Sequence, residues 1–177
     1  LLCTFASVDR NNLGVTGASG GGNQAMWVAA MDERIAAAVP VVSVGTFQSY
    51  IMNSNCVCEL LPGGLTFTEE AGVLALVAPR ALRIISAKRE ANPSFTPAQM
   101  LRSYQQARPV FEKLGRAGHI DYMLVDGVHG YDLNMQEAAI SWFDLHLKRQ
   151  AGSRPSVSAV QTLEANALST YPAGKRE

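Results

Sequence analysis

An excess of charge of either sign, a basic run, a long apolar run and an even set of cysteines are all missing from this chain of 177 residues. Fifteen basic residues balance fifteen acidic ones. With no basic run to track a phosphate backbone, nucleic acid is not an expected partner. Only 17% of residues are charged while 47% are apolar, which excludes a disordered chain and fits a globular one. No apolar stretch reaches the length needed to span a bilayer, so no membrane association is expected. The N-terminal Leu1 to Ala6 carries neither an initiator Met nor a basic segment before a long apolar core, and does not read as a signal peptide. The three cysteines, Cys3, Cys56 and Cys58, make no disulfide framework, and the odd count leaves the redox compartment open. The length suffices for one domain with a real core.

What is present is organised by Gly17-Ala18-Ser19-Gly20-Gly21. A short apolar run, Leu13 to Thr16, precedes it, and a helix-like run, Asn23 to Met31, follows. Strand, tight Gly-x-Ser-x-Gly turn and helix together are the context of a nucleophile elbow. The serine sits in a strained turn, so small residues at minus two and plus two are expected to let strand and helix approach. The turn lifts the hydroxyl above the sheet and aims backbone N–H groups at the same space.

Residues 1–8 read as the end of a helix, and Val8 to Asn12 as a polar turn. The 23–31 run is apolar nearly all round and predicts a buried helix. Ile35 to Val44 is apolar without alternation, as in a parallel strand covered on both faces. Gly45 to Leu65 has no clear period and reads as a long loop or cap insertion. Thr66 with Glu69 predicts a capping box and a helix to about Val77, ended by Pro79. Ala81 to Ala87 is a third strand. A helix with Pro97 in its first turn, a kink at Pro109 and a stop at Gly115 follows. Ile120 to Val125 is a fourth strand. An amphipathic last helix reaches about Gln150, and residues 151–177 read as a tail or linker. Alternation of this kind predicts an α/β fold with a mostly parallel sheet and helices on both faces.

A serine hydroxyl needs a general base, and the base needs a carboxylate to hold its tautomer. The chain supplies Ser19, Glu90 and His129 in the order Ser, acid, His, each after a strand. His129 lies between glycines just after the fourth strand, where a side chain faces a cleft. His119 reads as a surface or edge residue, and His146, on the apolar stripe of the last helix, as a packed structural histidine. Glu90 lies in the loop after the third strand; its plain alternative is an exposed charge beside Lys88 and Arg89. Asp126 is too near His129 in sequence to reach its far nitrogen, and Asp132 reads as a helix cap. Trp27 and Trp142 read as core.

The segments Asp9 to Gln24, Asp32 to Pro40, Cys56-Val57-Cys58-Glu59, Ala78 to Leu82 and Gly127-x-His129-Gly130-Tyr131 together resemble the acetyl xylan esterase-like α/β-hydrolases. The resemblance covers about residues 5–150. It implies an α/β-hydrolase domain in 1–150, an activity on acetyl esters or acylated carbohydrate through an acyl-enzyme, and no cofactor or metal. Such proteins usually carry Asp as the acid; Glu90 stands there, and only a carboxylate is needed. It also implies that the first half of the fold, with the loop bearing the second oxyanion donor, is absent, while Gly20 N–H supplies the first. One missing donor costs roughly 3 kcal/mol. The elbow strand would then be an open apolar edge inviting self-association. Cys56, Cys58 and Glu59 could bind zinc, but with no second cysteine pair a pocket wall or plain loop structure is the preferred reading. Two alternatives stay open: a serine peptidase of the prolyl-oligopeptidase type, and a non-catalytic fragment used as a binding or scaffold module.

Overall fold

The apolar runs become a parallel sheet whose two central strands are buried on both faces, while the first and last keep exposed residues. In the computed structural model, which describes residues 1–149 and 163–169, four strands form one sheet in chain order. They are β1 (Leu13–Ala18), β2 (Ile35–Val41), β3 (Ala81–Ala87) and β4 (Ile120–Val125), every adjacent pair parallel. The helices are α1 (Gly20–Met31), α2 (Phe47–Met52), α3 (Glu70–Ala75), α4 (Pro97–Lys113) and α5 (Leu133–His146).

Two cores result. Met26 and Ala29 of α1, Phe47 and Tyr50 of α2, Val73 and Leu74 of α3, and Met100 and Phe111 of α4 cover one face over Ala38, Leu82 and Ile84. Met135, Ala138, Ala139 and Trp142 of α5 cover the other over Ala37, Val39, Val41, Ile85 and Ala87. Helices on both faces are thus present as expected. Arg83 joins the second core with its guanidinium 4.4 Å above the Trp142 ring, and it also pairs with Asp121 at 2.7 Å.

Several expectations are corrected. Residues 2–4 form a single 3₁₀ turn rather than a helix end. Helix α1 begins at Gly20, directly after the serine, and is not buried all round, since Val28 and Met31 face solvent. Trp27 is only partly buried, stacking on Phe47 with centroids 6.5 Å apart, whereas Trp142 is core. The 45–65 stretch contains α2, capped by a reciprocal Thr46–Ser49 box. Thr66 does not cap α3; its hydroxyl donates to Gly63 O, and Glu69 is the cap. The Glu69 carboxylate also accepts from Phe47 N at 2.8 Å and Gln48 N at 2.9 Å, so it ties the starts of α2 and α3 together. Helix α5 ends at His146, short of Gln150. Asp132 caps it as expected, accepting from Met135 N. The reading of 151–177 as a tail lies almost wholly outside the described residues.

Arg80, in the Ala-Pro-Arg stretch, has a plain structural job. It donates to Asp32 O, Ile35 O and Leu76 O at 2.9–3.1 Å, pinning the entry of β3 to the α1–β2 turn.

Candidate active site

The chemistry-bearing loops all leave the C-terminal ends of parallel strands, where such sheets open their crevice. Ser19 follows β1 and has φ +54° and ψ −127°, a conformation costly for any residue with a Cβ. Its N–H donates to Val41 O and its carbonyl accepts from Asn23 N, both at 3.0 Å, so backbone bonds hold the strained turn. Ser19 stands at the N-cap of α1 but makes no side-chain cap, which leaves the hydroxyl free. The glycines explain how the turn closes. A methyl on Gly17 would lie 2.4 Å from Gly21 O, and one on Gly22 would lie 2.4 Å from Ser43 Oγ and 2.7 Å from Gly17 O. A methyl on Gly21 would touch nothing. The tight positions are therefore minus two and plus three, not plus two.

Glu90 and His129 are brought together. His129 Nδ1 lies 2.8 Å from Glu90 Oε2; the Glu90 side chain is 0% exposed and that of His129 36%. Glu90 is thus a buried partner of an imidazole, not an exposed loop charge. Its other oxygen accepts from Asn92 N at 2.9 Å. The two loops are lashed together by Lys88 N–H to Val125 O and Arg89 N–H to Gly127 O. The His129 ring stacks on buried Phe95, centroids 5.9 Å apart, and Phe95 meets Tyr50 edge-on. Tyr131, which the sequence offers as part of the Gly127-x-His129-Gly130-Tyr131 motif but without a role, bonds its hydroxyl to Thr16 Oγ1 at 2.8 Å, tying the His129 loop to the strand that leads to Ser19.

Ser19 makes no side-chain hydrogen bond to His129 or to any other described residue; the three residues share one end of the sheet without a closed Ser–His bond. Catalytic bonds are often loose without substrate. Of the other candidates, Asp126 is exposed and pairs with Arg89. His119 Nδ1–H donates to Pro79 O, 2.8 Å away, at the far end of the sheet. His146 lies 4.0 Å from the Trp142 ring centroid, and burial lowers it to about 4.

The 53–60 loop lies against the elbow, with Cys58 and Glu59 beside Gly20. Cys56 and Cys58 form a disulfide, a pairing not anticipated from the sequence. A methyl on Gly20 would lie 3.2 Å from Cys58 Sγ and 3.7 Å from Glu59 Oε1. Glu59 is 2% exposed. Burial raises its carboxyl, while the positive charge of protonated His129 works the other way. Asn55 Nδ2 donates to Glu59 Oε2 at 3.0 Å, and Asn92 Nδ2 donates to Asn55 Oδ1 at 3.0 Å, so one polar chain runs from Glu59 to Glu90. Cys56 Sγ approaches Glu59 Oε2 to 2.7 Å; as half of a disulfide it carries no proton to donate. The cluster of two sulfurs and a carboxylate is compact enough for a metal ion, but sulfurs bound to each other are not thiolate ligands.

No family model and no curated protein matches the sequence. Solved structures do resemble the fold. A carbohydrate esterase family 15 glucuronoyl esterase from Caldicellulosiruptor kristjansonii superposes with TM-score 0.68 at 23% identity, over 88% of this chain and 50% of that one. A glucuronoyl esterase from Solibacter usitatus gives 0.68 at 19%, over 82% and 45%. The glucuronoyl esterase catalytic domain from Hypocrea jecorina gives 0.65 at 19%, over 81% and 46%. The chain spans about half the length of these structures, and what it shares with them is the α/β-hydrolase fold.

Proposed function

We propose that this chain carries the catalytic half of a serine esterase acting on carboxylic esters of carbohydrates. Ser19 Oγ attacks the ester carbonyl. His129 takes the hydroxyl proton through Nε2 and returns it to the departing alkoxide. Glu90 accepts from His129 Nδ1–H, which fixes the tautomer and stabilises the imidazolium. Gly20 N–H, at the start of α1, donates to the developing oxyanion, where the helix N-terminus also favours negative charge. Water then enters by the same base and releases the acid from the acyl-enzyme.

The observation that carries this reading is the pairing of a wholly buried Glu90 with a half-open His129 at the strand ends beside a strained, uncapped serine. The fold likeness to carbohydrate esterases supports the substrate class. Within that class, an acetylated sugar places the carbohydrate on the alcohol side, and a uronate ester places it on the acyl side. The test is hydrolysis of an aryl acetate, an acetylated xylo-oligosaccharide and a methyl glucuronate by the purified chain beside Ser19→Ala. We expect turnover on at least one substrate that the variant loses by about 10³-fold or more. Equal rates for the two proteins, or no covalent labelling of Ser19 by a fluorophosphonate, would sink the reading.

A further inference from the structure

We propose that the Cys56–Cys58 disulfide is a thiol-exchange site whose opening leaves a cysteine thiolate at the N-terminus of α1, where it opposes oxyanion formation. The consequence for turnover rests on the function proposed above; the exchange itself does not.

Three observations carry it. First, both cysteines are exposed, so an attacking thiol reaches them. Second, only one residue separates them. So short a cross-link removes little entropy from the unfolded chain, and opening it leaves the fold standing. Its effect is therefore local. Third, the two sulfurs have unlike surroundings. Cys58 Sγ abuts Gly20, the first residue of the twelve-residue α1, where no side chain caps the helix and its free N–H groups stabilise an anion. Both sulfurs have a Glu59 oxygen within 4.8 Å, but Cys56 Sγ is the one in hydrogen-bonding contact with the carboxyl, at 2.7 Å, where it most disfavours a second negative charge and accepts a bond from a thiol.

That asymmetry gives the exchange a direction. A thiolate of an incoming dithiol attacks Cys56 Sγ. The S–S bond breaks and its electron pair goes to Cys58 Sγ, the better leaving group. The reductant's second thiol, as thiolate, then attacks the mixed disulfide, leaves as a cyclic disulfide, and the released Cys56 sulfur takes up a proton. The protein gains two electrons, the dithiol is oxidised, and Cys58 remains a thiolate. Cys56 S–H now donates to Glu59 Oε2, already 2.7 Å away, so both redox states find partners in the same place. The titratable groups facing Cys58 are Glu59 and, beyond it, the His129–Glu90 pair.

The test compares the oxidised full chain with the same chain in dithiothreitol. Alkylation mapped by mass spectrometry reports whether Cys56 and Cys58 open, and the ¹⁵N amide resonance of Gly20 reports the elbow without any need for activity. We expect opening in the folded protein, a shift of the Gly20 amide, and a loss of ester hydrolysis of about tenfold, part of what a lost oxyanion donor costs. Cys58→Ser should hydrolyse ester at the oxidised rate with or without dithiol, and Cys56→Ser should be slow in both. Cysteines that stay closed in dithiol, a Gly20 amide that does not move, or a Cys58→Ser chain that still responds would each overturn the proposal. Absence of hydrolysis in every state would refute the esterase reading, while the Gly20 amide would still decide the exchange site.

Discussion

At the scale of single residues, the elbow separates glycines that are needed from one that is not. Gly17 and Gly22 face backbone oxygens that cannot yield, so an added methyl forces strand and helix apart. Gly22→Ala is expected to lower stability by about 2–3 kcal/mol, the cost of overpacking. Gly21→Ala meets open space in the first turn of α1 and should be neutral or stabilising by up to about 1 kcal/mol. Urea midpoints of the two variants check this, and equal losses would mean that the turn does not pack as described. The five-residue pattern identified the elbow because strain selects small residues there. It could not say which glycine bears the contact, since that depends on Ser43 arriving from the end of β2.

At the scale of elements, the start of α3 is a buried polar joint between segments far apart in sequence. Glu70 is wholly buried; burial pushes its carboxyl up to about 8. It lies 2.5 Å from Tyr50 Oη, with Gly45 N–H donating to both. A carboxyl raised by folding contributes its full stability below its ordinary value near 4.5, and that contribution drains as pH rises through about 8. Wild type should therefore lose melting temperature between about pH 5 and about pH 9, and Glu70→Gln, neutral throughout, should show a flatter profile. A parallel fall in both proteins would place the titration elsewhere. Little of this joint was legible in the sequence. Glu69-Glu70 looks like an ordinary solvated start of a helix, and α2 is a run of six residues, too short to show a period, in which Phe47 and Tyr50 are buried while Ile51 and Met52 face solvent. The strands were legible because burial on both faces leaves unbroken apolar runs such as Ile35 to Val41. Glu90 and His129 were legible because strand ends mark where their loops begin. Tyr131 and the disulfide were not, since both depend on contacts that only the folded chain makes.

At the scale of the whole molecule, β1 is an edge strand with β2 as its sole partner among the described residues, yet it carries the elbow. Its outer rim of N–H and C=O groups is a template for another strand. Sedimentation velocity should show concentration-dependent self-association of the isolated chain; a monomer at all concentrations would mean that the rim is blunted by its twist or its loops. The sheet order has one more consequence, and it is kinetic. Because the strands lie in the order in which they are synthesised, each parallel pair is closed by the single crossover that follows it. Among the described residues, no strand waits for a partner from a distant part of the chain, and none must be inserted between two already joined. Loop-closure entropy is met in small successive instalments rather than in one long-range step. Assembly can then proceed outward from β1 as a growing front, with the Glu90 and His129 loops meeting only when β4 docks on β3. Whatever activity the chain has is the last thing its folding produces.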